Sequence, residues 1–312
     1  MDTTTIQASR TNVSFVQRLR AHIKLADPVT WISPTLTTFC GAVASGWQGG
    51  FSLSNPRHLA LAALAALMTG PLCTGFSQSI NDYYDRELDA INDPSRPIPS
   101  GRVSLFGARV NFTALALATM LVSLVLAQYN PLIPLLAVVG LVLSAIYSIP
   151  PIKLKKHFWL GPPAVGFGYV AMSWVAAHLI FAPMTWESLV VAGINGGLAT
   201  GLLFLNDIKS VEGDRKHGLQ SLTVAMGERK ALLVAYSVIA FFEIVLLVLA
   251  AMWGHPYLAG FVLLALVVPI YSQVRLYREP NHKNFLRYMV ASNPFVALIQ
   301  FISAFVVGGY FG

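Results

Sequence analysis

The chain has 312 residues, 55% of them hydrophobic and 11% charged, with a net charge of +7. A soluble domain carries about twice that share of charge, so composition argues against a soluble globular enzyme. Basic loops beside membrane spans account for the positive balance, and no nucleic acid is implied. Cys40 and Cys73 lie in apolar blocks, with neither metal spacing nor a disulfide framework.

Residues 1–26 form a polar segment without the apolar core of a signal peptide, so no cleavage is expected. Within it Phe15, Val16, Leu19 and Ile23 recur at helical spacing beside Arg18, Arg20 and Lys24. That pattern fits either a short amphipathic helix on the membrane surface or a disordered basic tail. From residue 27 to 312 the chain reads as one all-α polytopic membrane domain. Nine candidate spans fall at about 29–48, 58–80, 106–128, 132–149, 158–181, 187–206, 231–253, 256–274 and 289–311. Each approaches the roughly 20 residues that cross a bilayer, the fourth being short. Pro34 and Pro71 lie inside spans and are expected to kink them.

The basic residues give an orientation. Four precede the first span, four follow the second (Arg86, Arg96, Arg102, Arg109), and three follow the fourth (Lys153, Lys155, Lys156). Five follow the sixth and four the eighth, so only Arg57 of the 21 lies on the other side. By the positive-inside rule the N-terminus and the basic loops are cytoplasmic and the C-terminus is outside.

Of 14 carboxylates, five crowd into residues 82–93. Asn81, Asp85 and Asp89 are spaced by four, so one helix face carries all three at the cytoplasmic end of the second span. Asp82 and Arg86 lie on the adjacent stripe and are placed to pair. The sixth span ends in a related pattern. Asn206, Asp207 and Asp214 repeat the spacing of Asn81, Asp82 and Asp89, with Ser210 where the first copy has Asp85. The repeat suggests a parallel duplication with two acidic helix ends meeting across a cavity. Clustered carboxylates at the edge of a low-dielectric region persist when cations neutralise them. With no His or Cys among them, oxygen ligands that leave room for water suit Mg²⁺ shared with substrate phosphates. Arg86, Arg96, Arg102, Lys153 and Lys155 stand close in sequence and are candidates to hold a diphosphate.

These segments resemble the UbiA superfamily of intramembrane prenyltransferases. Asn81, Asp82, Asp85 and Asp89 match its NDxxDxxxD signature, and RPIPSGRVS from Arg96 resembles a further block of the family. The resemblance implies an all-helical bundle of nine spans around a central cavity, with Mg²⁺ bound through diphosphate. Within the superfamily the segments at Asp85, Tyr147 and Asn206 are most similar to the chlorophyll and bacteriochlorophyll synthase branch. The implied reaction joins a prenyl diphosphate to a propionate of a chlorophyllide-type tetrapyrrole.

That likeness carries further expectations. The metal ligands are Asp85, Asp89, Asp207 and Asp214, with Asn81 orienting an aspartate or touching the diphosphate. Tyr147, His157, Trp174 and His178 are candidates for the acceptor pocket. The setting is an inner, cytoplasmic or intracytoplasmic photosynthetic membrane, with pigment-biosynthesis or photosystem-assembly proteins as partners. The acceptor is already a carboxylate near neutral pH, so no strong general base is needed. Two alternatives stand beside this reading: a relative acting on an aromatic quinone precursor, and a transporter, since intramembrane carboxylates with repeats also mark transporters.

Overall fold

Runs of Leu, Ala, Val and Ile punctuated by Pro and Gly produce a helical protein. Among residues 14–206 and 221–310, which the computed structural model describes, there is no strand. The helices are α1 (Phe15–Leu25), α2 (Ile32–Ala44), α3 (Pro56–Asn92), α4 (Leu105–Leu126) and α5 (Ile133–Ser148). They continue with α6 (Gly161–Phe181), α7 (Trp186–Asn206), a short α8 (Leu222–Met226), α9 (Glu228–Met252), α10 (Pro256–Arg278) and α11 (His282–Val307). Seven of these, α3, α4, α6, α7, α9, α10 and α11, are long and apolar enough to cross a membrane. The chain is an all-α integral membrane protein. The expected spans at 29–48 and 132–149 fall on the shorter helices α2, with 13 residues, and α5, with 16.

The prolines act differently from one another. Pro34 does not kink a span. Helix α2 begins at Ile32, so Pro34 sits in its first turn, where the missing N–H had no helical partner to lose. Pro71 lies well inside α3, and the chain absorbs it by widening into a π-helical turn over Met68–Thr74. The Thr74 hydroxyl donates to the Thr69 carbonyl at 2.9 Å across that turn. A second wide turn, Gly166–Ala171, interrupts α6.

Small residues let the helices approach closely, the usual means of packing where hydrophobic burial gives little drive. Helices α7 and α9 lie together with the Phe242 ring seated on Gly197; a Cβ there would fall 2.1 Å from the ring. Gly166 of α6 stands equally close to the Gly196 carbonyl and Thr200 of α7. Gly41 of α2 meets the backbone of Trp174 in α6, with 2.2 Å from a built Cβ to the carbonyl oxygen. These glycines of α2, α6 and α7 therefore serve helix-to-helix contacts.

Because Gly41 faces main chain and not a movable side chain, Gly41→Val forces α2 and α6 apart. We expect a loss of about 1–3 kcal/mol, read as a lower unfolding temperature in detergent. Gly193→Ala, with nothing within 4 Å of its built Cβ, is expected to leave that temperature unchanged.

Candidate active site

The acidic stripe stays helical to its end. Helix α3 runs unbroken through Asn81, Asp82, Asp85 and Asp89 to Asn92. Two loops then close over it. The loop after α3 turns back over 93–104, and its Arg96 reaches the Asp82 carboxylate at 2.5 Å and Asp89 at 3.2 Å. The loop after α5 brings Lys153 to Asp85 at 3.2 Å. Lys155 from the same loop bonds Asp85 and also donates to the Asn81 side-chain oxygen at 2.6 Å. Ser148 donates to that same oxygen at 3.2 Å. Lys153 takes up a left-handed backbone, φ +42°, a conformation uncommon for a residue with a side chain. The resulting turn points both lysines at one carboxylate.

Every carboxylate of the stripe is therefore matched by a cation, in a sheltered setting. The side chain of Asp85 is 12% exposed and that of Lys155 10%. Burial lowers the proton affinity of Lys155 below the ordinary lysine value, and Asp85 opposes that shift. For Arg96, burial disfavours the charge, but Asp82 and Asp89 outweigh it and hold the guanidinium above its ordinary pKa.

Asn81 also opens onto a cavity of about 440 Å³. Thr30, Ser33, Gln78, Tyr147, Tyr169 and Asn206 are among its lining residues. Asn81 of α3 and Asn206, the last residue of α7, both line this space. A smaller apolar cavity, lined by Cys73, Tyr147, Tyr169 and Met172 among others, continues inward between α3, α5 and α6.

The remaining expectations sort as follows. Tyr147 lines both cavities. His157 is exposed in the loop before α6. Trp174 and His178 line neither of these two cavities. Both are fully buried, and Trp174 Nε1 donates to Ser188 Oγ at 2.9 Å. Ser188 Oγ meets His178 Nδ1 at 2.9 Å, and Nε2 faces the Pro183 carbonyl at 3.0 Å. Both ring nitrogens are thus engaged, which leaves neither for a metal. Arg86 does not pair with Asp82. It folds back on the Tyr83 carbonyl at 2.9 Å and pairs with exposed Glu87 at 3.1 Å. Arg102 binds the Ser95 carbonyl and donates to Ser100 Oγ at 2.9 Å, bracing the loop that carries Arg96. Asp207 and Asp214 lie outside the described residues.

Sequence reasoning missed Gln78, Tyr169 and Ser148. Gln78 was within reach of it, standing three residues before Asn81 and extending the polar stripe into the cavity, where it donates to Tyr169 Oη at 3.3 Å. For Mg²⁺, the available donors fit: carboxylate and amide oxygens from one helix face, with no soft ligand. Among the described residues no three His, Cys, Asp or Glu side chains converge into a closed cage.

The UbiA prenyltransferase family pattern matches residues 35–306. A chloroplastic chlorophyll synthase of Arabidopsis thaliana is 35% identical over 91% of this chain and 74% of its own length. The bacteriochlorophyll synthase 34 kDa chain of Chloroflexus aurantiacus is 36% identical over 83% of this chain and 81% of its own. Among solved structures, a UbiA homolog from Archaeoglobus fulgidus bound to GPP and Mg²⁺ superposes with a TM-score of 0.66. It is 20% identical, with 93% of this chain and 99% of that one covered.

Breaking one sheltered pair exposes the cost of the other partner. Lys155→Met is expected to destabilise the protein by about 1–3 kcal/mol, since sheltered Asp85 keeps only Lys153 as a cation and the Asn81 oxygen loses a donor. Adding Asp85→Asn to that variant is expected to restore part of the loss. A double-mutant cycle of thermal unfolding in detergent measures the coupling. Strict additivity would mean the pair contributes nothing.

Proposed function

We propose that this chain, which belongs to the UbiA prenyltransferase family, esterifies a propionate of chlorophyllide or bacteriochlorophyllide with a prenyl diphosphate such as geranylgeranyl or phytyl diphosphate. One observation carries this reading. Two synthases named for that chemistry, one from a plant and one from a bacterium, are each at least 35% identical over most of the chain. Membership of a prenyltransferase family also displaces the transporter alternative.

In this reading the donor's diphosphate lies at the end of α3 and its prenyl chain runs into the apolar cavity. Asp85 and Asp89, with Asp207 and Asp214 of the second pattern, are the residues that would hold Mg²⁺. When bound, the metal supplies positive charge to the departing diphosphate. Lys153, Lys155 and Arg96 now neutralise the protein's own carboxylates. Once those carboxylates have another partner, the same three cations are free to turn to diphosphate oxygens, and Arg86 and Arg102 stand at the rim. Ionisation breaks the bond between C1 and the diphosphate oxygen, and diphosphate leaves with the electron pair. The propionate carboxylate forms the new ester bond to C1. Apolar and aromatic walls, Tyr147 and Tyr169 among them, keep water from the allylic cation. Asn81, held by Lys155 and Ser148, keeps the first turn of the acidic stripe in register.

The orientation belongs to the same proposal. The N-terminus and the acidic helix ends face the cytoplasm of a photosynthetic membrane, and the C-terminus faces the opposite side. Single cysteines at Ser100 and Lys156 are expected to react with a membrane-impermeant maleimide from the cytoplasmic side, and one at Ser54 from the other. Labelling of all three from one side would overturn this topology.

The chemistry is tested by offering the solubilised protein Mg²⁺ and one labelled prenyl diphosphate, with chlorophyllide, bacteriochlorophyllide and 4-hydroxybenzoate in competition. Label is expected in a pigment ester. Label only in a prenylated aromatic acid would leave the family assignment standing and reject the acceptor. Asp85→Asn is expected to lower turnover by at least about a hundredfold, the scale on which a preorganised electrostatic contact acts, while the protein still folds.

A further inference from the structure

Helix α1 carries a face that no other part of the described chain covers. One side is buried: Ala21 and Leu25 pack with Ile98, Val103 and Ala108. On another side Phe15 is 79% exposed, Val16 54%, Leu19 49% and Ile23 45%. At about 100° per residue those four side chains occupy roughly a quarter to a third of the circumference. Arg20 and Lys24 border this stripe on one flank and Arg18 on the other. All three are exposed, and none makes an ion pair among the described residues. A Ser14–Gln17 capping box starts the helix, so its register is fixed from the first turn.

The position of α1 decides what this face meets. His22 Nδ1 lies 3.2 Å from Asn111 Oδ1 in the second turn of α4. Leu105 and Phe106, in the first turn of α4, are already outward-facing, Phe106 at 71% exposure. The apolar stripe of α1 therefore sits at the level where the apolar belt of α4 begins. An apolar stripe at that level, flanked on both sides by exposed cations, of which Lys24 also stands near Asp93, is complementary to acyl chains topped by negative headgroups.

We propose that α1 is a docking surface for the anionic phospholipid headgroups of the membrane face on which the acidic end of α3 lies. The stripe from Phe15 to Ile23 enters the acyl boundary, and Arg18, Arg20 and Lys24 reach headgroup phosphates. The attachment has a direct line to the site. Asn111, which meets His22, donates to Ser79 Oγ at 2.9 Å, and Ser79 lies two residues before Asn81 on α3. The surface helix thus braces the helix that carries the carboxylates. None of this depends on which acceptor the protein uses.

The test uses the full chain in bilayer nanodiscs of phosphatidylcholine, with and without phosphatidylglycerol, and a nitroxide on Leu19→Cys. The unsubstituted chain, whose Cys40 and Cys73 lie inside the bundle, serves as the blank. With anionic lipid, the label at 19 is expected to be relaxed by oxygen and shielded from a water-soluble nickel complex. Charge near an anionic surface is worth about a fivefold change in partition per Lys or Arg. Without phosphatidylglycerol, or with R18Q/R20Q/K24Q, the immersed population is therefore expected to fall at least severalfold. These substitutions are on the surface, so size-exclusion profiles should stay unchanged. A label at 19 that stays open to nickel with anionic lipid overturns the proposal. So does immersion that ignores both lipid charge and the three cations. Strong dipolar coupling between labels would instead show a second copy covering the stripe, and also overturns it.

Discussion

Three carboxylates on one helix face, at the rim of an apolar bundle, must each find a counter-charge. That requirement organises this whole end of the bundle. Asp82, Asp85 and Asp89 follow one another at about one turn, so their negative charges crowd at one place. The protein answers with cations from two separate loops. Arg96 spans Asp82 and Asp89, and Lys153 and Lys155 converge on Asp85. The loops after α3 and α5 are thereby tied to one helix, and the mouth of the cavity takes its shape from ionic contacts. A sheltered ion pair contributes little net stability because desolvation consumes most of the attraction. Its value here is positional: it fixes which loop atoms border the space below.

The bundle beneath obeys a different constraint. Lipid offers no hydrogen bonds to an interrupted helix, so each irregularity must be satisfied internally. Pro71 is tolerated because the wide turn around it shifts carbonyl partners and Thr74 takes up one of them. The wide turn in α6 coincides with the closest approach to α7, at Gly166. Both turns border the cavities: Met68, Thr69, Cys73 and Thr74 line the inner one, as do Gly168 and Tyr169. The wide turns thus wall the inner cavity, and at Gly166 one of them also packs tightly against α7.

Much of this was legible in the sequence. Spacing by four put Asn81, Asp85 and Asp89 on one face, and the helix there is continuous. The amphipathic pattern of Phe15–Ile23 folds as a helix and not as a tail. Span limits were less legible. Helix α2 is short because Pro28 and the Ser45–Gly46 turn bound it, and neither signal registers in a hydropathy window. Helix α11 begins at His282, well ahead of its apolar core, because Asn281 caps it. Trp174 and His178 were misplaced for a simpler reason. Helical spacing says which residues share a face, but Ser188, which ties them together, comes from the next helix.

The cations show where sequence reasoning stops. In a membrane protein every loop lysine and arginine on one side has a sufficient explanation in orientation alone. Residue type therefore cannot separate those that serve the site from those that only set topology. Burial marks the two lysines, whereas Arg96, 39% exposed against 35% for Arg86, is marked by its partners. Lys153 and Lys155 have side chains 16% and 10% exposed, while Arg86, at 35%, turns to a surface glutamate. Orientation alone gives no reason to hide a cation from water, since a solvated one obeys the rule equally well. Hiding one costs desolvation free energy, which only a specific partner offsets. The choice between Arg86 and Arg96 for Asp82 illustrates the point. Arg86 is one turn away on the same helix and was the natural partner by spacing. Arg96 arrives from a loop, at a distance in sequence that no periodicity predicts, because its turn is braced by Arg102 and Ser100. The fold spends loop structure to bring in a distant arginine where a local one was available. That leaves the α3 surface beside Asp85 for the two lysines and places all three cations at the ends of flexible side chains around one mouth.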